Sequence, residues 1–263
     1  MSPCRHSADS TADRAESALP GSFLLAPRPM SVFRYPWDDF PKLWLHACEH
    51  LVKKHPAYQA AKSGDPSAAL DLVHSTISRD CIETLALAFA DVNPVLVSAH
   101  AVESHGVNAI PQAMAGYLGC ILSWPVETSV VQSNVVGHTG ADGFSRLARQ
   151  AEFDGAVSHR TNYVLVDDFV GQGGTLANLR GFLIHCGGTV IGGTVLTGKS
   201  YSAILNNDVQ QIVQLREKHG SKFESWWIER FGFGYDCLTY SEARYLLNTP
   251  TAQRIRNQIT AAI

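Results

Sequence analysis

Apolar positions change their spacing several times along this chain, and each change marks an element. In residues 41–55, PKLWLHACEHLVKKH, the positions Leu43, Ala47, Leu51 and Val52 recur at helical intervals, and Lys53 and Lys54 fall near the end, where cations suit the negative pole of a helix. The pattern predicts an amphipathic helix whose role is packing. A second helix is expected over residues 66–89, with Leu70, Val73, Ile77, Cys81 and Leu85 on its apolar side and Pro66 in its first turn. The spacing then shortens. PVLVSAH, from Pro94, is branched and apolar over too few residues for a helix, so it predicts a strand, followed by the loop AVESHGVN and the helix AIPQAMAGYLG.

ILSWPVETSVVQ predicts further strand and connection. VVGHTGADGFSRLARQAEFDG is polar and carries Arg146 and Arg149, as expected of a mobile, cation-bearing loop. Next come a strand over 163–166, a turn, a helix over 176–186 stopped by Gly187 and Gly188, and the strand TVIGGTVLTG. Strands alternating with helices imply a parallel sheet covered on both faces, so the fold class is α/β. From Leu205 the chain reads as helices, with Gly232 and Gly234 as breaks and Thr239 with Glu242 as a capping box.

Composition narrows this picture. The 263 residues are 45% hydrophobic, enough for one large domain with additions, and the formal net charge of -3 gives no general basic surface for nucleic acid or anionic membrane. Six scattered cysteines without a CxxC pair suit reduced thiols in a cytoplasm. No apolar run approaches the roughly 20 residues that cross a bilayer, and no secretory leader is visible, so a cytoplasmic protein is expected. Residues 1–29 have little apolar periodicity and read as a flexible tail, 30–92 as an N-terminal helical region, 93–204 as the α/β core and 205–263 as a C-terminal helical extension.

The candidate chemistry lies in NYVLVDDFVGQGGTLANLRGFLIHCGG, residues 162–188. Asp167 and Asp168 repel each other, so their placement at the mouth of a buried strand costs stability unless a ligand uses them. Two neighbouring hydroxyls or a divalent cation would do so. Gly171, Gly173 and Gly174 allow close backbone approach, and the amides opening the helix at Thr175 form an anion cradle. His46 and His50, four apart on the first predicted helix, have a spacing that can share a metal, but no third ligand is in view. Trp226, Trp227 and Tyr235 read as packing residues.

Four apolar residues, two acids, a short glycine-containing loop and a helix resemble the 5-phosphoribosyl diphosphate (PRPP) signature of type I phosphoribosyltransferases. HGVNAIPQAMA and the Arg-rich loop before the signature strand are similar to the ComF-like members. The matching portion runs from about Pro94 to Lys199. The resemblance implies a Rossmann-type parallel sheet flanked by helices, with helical N- and C-terminal additions, and a transferase that moves phosphoribosyl from PRPP to an acceptor. Asp167 and Asp168 would hold the ribose hydroxyls. Gly171, Gln172, Gly173, Gly174 and Thr175 would surround the 5-phosphate. Ser104, His105, Gly106 and Asn108 would lie on the diphosphate side, with Arg146, Arg149, His138 and Thr139 on a closing loop and Lys199 facing the nucleophile. Mg would arrive on substrate oxygens, and a homodimer is one open possibility for the oligomeric state, because family members are often dimers.

Two departures stand out. Gly171 and Gln172 replace the two threonines frequent in the family, and no acid occupies the Gly171 position, which argues against a hypoxanthine or guanine enzyme. Both changes would be harmless in a non-catalytic sensor of PRPP or a nucleotide, the alternative reading.

Overall fold

A computed structural model describes residues 32–99, 102–103, 106–136 and 142–262. The expected tail lies outside the described residues. Short elements come first: strand β1 (Trp44–Ala47), then helices α1 (Glu49–Lys53), α2 (Tyr58–Lys62), α3 (Pro66–Thr76) and α4 (Arg79–Ala88). The middle of the chain holds β2 (Val95–Ser98), β3 (Val102–Glu103), β4 (Gly106–Val107), α5 (Ile110–Leu122), β5 (Val126–Glu127), β6 (Val131–Gln132), α6 (Gly143–Ala148) and β7 (Phe153–Asp154). The two long strands β8 (Asn162–Val170) and β9 (Thr189–Gly198) flank α7 (Gly174–His185), and α8 (Val209–His219), α9 (Ser221–Phe231), α10 (Tyr240–Leu247) and α11 (Ala252–Ala261) follow.

One five-stranded sheet, ordered β1-β9-β8-β2-β5 and parallel throughout, carries the architecture. The fold is therefore α/β with helical additions, as the alternating pattern requires. Side chains alternate across a strand, and β8 uses both faces. Tyr163 and Leu165 pack with Leu176, Leu179 and Leu183 of α7. Val164 and Val166 pack with Leu72 of α3, Leu85 of α4, and Met114 and Leu118 of α5. Burial on both sides explains why this strand reads as an unbroken apolar run. A third cluster joins Phe144 and Leu147 of α6 to Leu215, Trp227, Leu246 and Ile255 of the C-terminal helices. Trp227 and Tyr235 are buried in it, as packing residues should be.

Three sequence expectations need correction. Residues 41–55 do not form one helix, because Trp44–Ala47 pairs with β9 at Trp44↔Thr194 and Leu45↔Val195. Strand pairing and the burial of Leu43 outweigh the local helical period, leaving α1 five residues. His46 and His50 consequently share no helix face. His46 is buried with Nε2 2.8 Å from Thr194 Oγ1, and burial lowers its pKa to about 4, so the ring is neutral.

Residues 66–89 form two helices, since Ser78 accepts a hydrogen bond from the Cys81 amide at 3.2 Å and starts α4. The buried face of α3 is Ala69, Leu72 and Val73, and Leu70 is exposed. Finally, β8 runs on through Asp167 and Asp168 to Val170, so the acids stand inside the strand rather than just past its end. Among the described residues no helix is long and apolar enough to cross a membrane.

The break at Ser78 has a measurable signature. In a continuous helix Ser78→Ala would stabilise, because alanine is the better helix former. As an N-cap, its replacement by alanine is expected to cost about 0.5–2 kcal/mol in urea unfolding, with Ser78→Asp close to the parent.

Candidate functional site

The connection from β2 through α5 leads to β5 on one side, while that from β8 through α7 leads to β9 on the other. Neighbouring parallel strands whose connections diverge leave a crevice at their carboxyl ends, where α/β proteins bind ligands. Asp167 and Asp168 stand at that end of β8. Strand alternation sends Asp168 to the side of Val164 and Val166, where α2 packs, and Lys62 Nζ lies 3.1 Å from its Oδ2. Asp167 takes the opposite direction and accepts from the Asp168 amide at 2.8 Å. Both carboxylates are buried, at 8% and 7% exposure. Burial, then repulsion from Asp168, holds the Asp167 carboxyl well above the usual carboxylate range, with Lys62 opposing the shift.

Beyond the strand, the chain turns into α7 through Gly173, which caps the helix at φ 81°. That left-handed geometry suits glycine, and a β-carbon there would fall 2.5 Å from Leu205 Cδ2. The turn is held from behind. Thr239 Oγ1 donates to the Gln172 carbonyl at 2.5 Å, and Glu242 closes a capping box with Thr239. Arg34 grips Glu242 through both terminal nitrogens, at 2.6 and 2.9 Å, and its Nε donates to Asn178 Oδ1 of α7 at 2.6 Å. Gly174 lets this ion pair pack against the helix start: a β-carbon would meet Glu242 Oε1 at 2.7 Å. The first-turn amides of α7 have no acceptor within the helix and carry its positive pole.

Acids and turn line one pocket of about 220 Å³. Asp167, Asp168, Gly171, Gln172, Gly173, Gly174 and Thr175 all border it, as do Asn108, Arg146 and Arg149. Asn108 is buried, and its Oδ1 accepts from the Ile110 amide at 3.2 Å, which opens α5. Arg146 lies against Gly171. Its pKa is lowered by burial, while a guanidinium keeps its proton in proteins. The segment bearing it is partly fixed, because Phe144 and Leu147 are buried. Arg149 Nε donates to the Ala262 carbonyl at 2.9 Å. Gly106 lies in β4. Ser104, His105, His138 and Thr139 lie outside the described residues. Lys199 is exposed and borders a second, adjoining pocket.

Several site residues escaped the sequence reading. Lys53, Tyr58 and Lys62 border the acid pocket from α1 and α2; Lys53 was read as the end of a packing helix, and Tyr58 and Lys62 fall between the two helices expected there. Glu242 was visible as a cap, but its partner Arg34 is 208 positions away. No local pattern announces such a pair. Among the described residues, no group of three or more His, Cys, Asp or Glu side chains is arranged to hold a metal ion. A divalent ion here would need oxygens brought by a ligand.

No family model matches the chain. It is 40% identical over 229 residues to Protein TraN of Escherichia coli, covering 87% of this chain and 51% of that protein. It is 34% identical over 173 residues to an uncharacterized protein of Haemophilus influenzae, covering 65% of this chain and 39% of that one. The chain thus spans about half or less of the curated relatives it matches. Among solved structures, one adenine phosphoribosyltransferase is similar at TM-score 0.34 and 13% identity, covering 57% of this chain and 75% of that one. A second, from Thermoanaerobacter pseudethanolicus, is similar at TM-score 0.29 and 15% identity, covering 45% and 77%. Likenesses this distant carry no functional conclusion.

Two outcomes follow from the geometry. Because folding raises the Asp167 pKa above its unfolded value of about 3.9, its contribution to stability is present below that pH and is lost as pH rises through the raised value. Asp167→Asn is therefore expected to be more stable than the parent at neutral pH, by a margin that grows across that window and then levels, as urea midpoints taken from about pH 4 to 8 would show. Glu242→Gln leaves Arg34 buried without its carboxylate and is expected to cost about 3–5 kcal/mol in the same assay, much of it recovered when Arg34→Met is added.

Proposed function

We propose that the protein transfers a phosphoribosyl group from PRPP to an acceptor and releases diphosphate. The observation that supports this reading best is the meeting, in one pocket, of the adjacent acids of β8 with the glycine turn and first amides of α7. A sugar phosphate is the ligand class that needs both. Its hydroxyls would donate to Asp167 and Asp168, and its phosphate oxygens would accept from the amides of residues 171–175. Lys62 would orient the Asp168 carboxylate through their ion pair.

The transferred bond sets the electrostatic demand. As the C1–oxygen bond breaks, its electron pair leaves with diphosphate, positive charge develops on the ribose, and an acceptor lone pair closes the new bond to C1. The acceptor's proton, where it carries one, passes to solvent. The carboxylates would stand near the developing cation, while Arg146 and the Asn108 loop would face the departing anion. Magnesium, bound mainly by diphosphate oxygens, would supply charge neutralisation for the leaving group. Because burial raises the Asp167 pKa, donors or cations that favour its ionised form would couple ligand binding to proton release.

A sensor role is the second reading, and a specific feature favours it. The turn lacks the two threonine hydroxyls, and Thr239 takes the Gln172 carbonyl for a structural contact. Binding would survive such changes better than turnover.

Calorimetry with PRPP and Mg tests the site. The parent is expected to bind, and Asp167→Asn with Asp168→Asn is expected to weaken binding by about a hundredfold or more while keeping its circular dichroism. Undiminished affinity would remove the acids from the site. Diphosphate release with a panel of bases and amines separates the two readings: binding without turnover favours the sensor.

A further inference from the structure

A second pocket, of about 400 Å³, adjoins the first across Arg146, Phe169, Gly171 and Gln172. Its other side is built by the start of α1, the segment after β9 and helix α10. The charge around it is one-sided. Among the described residues, Lys53, Arg146, Lys199 and Arg244 border it, against a single carboxylate, Glu49, whose Oε1 is already 2.5 Å from Lys53 Nζ.

Its aromatic content is equally marked. Arg244 stacks over the Tyr201 ring at 4.2 Å from the centroid, and Lys199 Nζ lies 5.9 Å from the same ring. Tyr245 is held edge-on to Phe144, with centroids 4.9 Å apart, and the absence of a side chain at Gly143 makes room for it. Phe169 completes the wall shared with the first pocket. Tyr201 and Tyr245 set beside Lys199 and Arg244 suit a flat ligand that brings its own negative charge.

We infer that this pocket takes the acceptor, and that the acceptor is a planar aromatic molecule carrying a carboxylate. The inference rests on the transferase reading for the word acceptor. The ligand class rests on the pocket's own residues. Lys199 and Arg244 border only the second pocket, so they report on it without touching the acids or the glycine turn.

The experiment uses the full chain and two probe pairs, benzoate with benzamide and pyrimidine-4-carboxylate with its carboxamide, titrated with and without PRPP and Mg. Each carboxylate is expected to bind about tenfold or more tighter than its amide. Lys199→Gln with Arg244→Gln is expected to abolish that preference at an unchanged unfolding midpoint. Should the double variant misfold, the exposed Lys199→Gln alone is expected to reduce the preference severalfold. Equal affinities within each pair, or a preference that survives in a folded double variant, would overturn the inference. PRPP binding without carboxylate preference sinks this inference and leaves the transferase reading standing. Carboxylate preference without PRPP binding sinks the transferase reading and the acceptor role, and keeps the ligand class.

Discussion

The buried ion pair between Arg34 and Glu242 is the constraint on which the site depends. Arg34 comes from the segment before β1, Glu242 from the first turn of α10, and Asn178, which takes the third guanidinium bond, from α7. Three distant parts of the chain are thereby locked behind one turn. Such a pair gains little over an apolar contact in stability alone. What it supplies is position, since the guanidinium accepts partners only in its own plane and at fixed angles. With Thr239 tied to the Gln172 carbonyl, the turn has little freedom to collapse into the pocket it borders.

The opposite wall is organised by charge conflict. Two carboxylates within a buried strand would be costly if both were ionised, and the protein relieves this asymmetrically. Asp168 meets Lys62, whereas Asp167 is left to the low-dielectric interior and holds its proton more tightly. A ligand that supplied donors or cations there would link its binding to the loss of that proton. Across the Phe169–Gln172 wall the paired acids give way to Lys199 and Arg244, although cations border both pockets.

The helical additions are part of this cleft. α1 contributes Lys53 to the acid pocket and α2 contributes Lys62 to Asp168, and α10 contributes Glu242 to the turn and Arg244 to the second pocket. The N-terminal helices share a core with one face of the sheet, whereas α6 and the C-terminal helices have their own aromatic cluster around Trp227. This division lets the sheet hold the acids and turn while helices packed beside it shape the rest.

Sequence alone determined the α/β class, the apolar strand that leads into two acids and a glycine turn, and the capping box at Thr239. Each depends on contacts between near neighbours or on burial so complete that it leaves an unbroken apolar run. Tertiary structure decided the rest. Trp44–Ala47 became a strand because β9 offered it a parallel partner, and helical spacing in residues 41–55 carries no record of that partner. Lys62 reached Asp168, and Arg34 reached Glu242, across 106 and 208 positions. Long side chains of either charge look alike in a sequence whether they are solvated or paired, because pairing is a property of where the backbone returns rather than of the residues beside them.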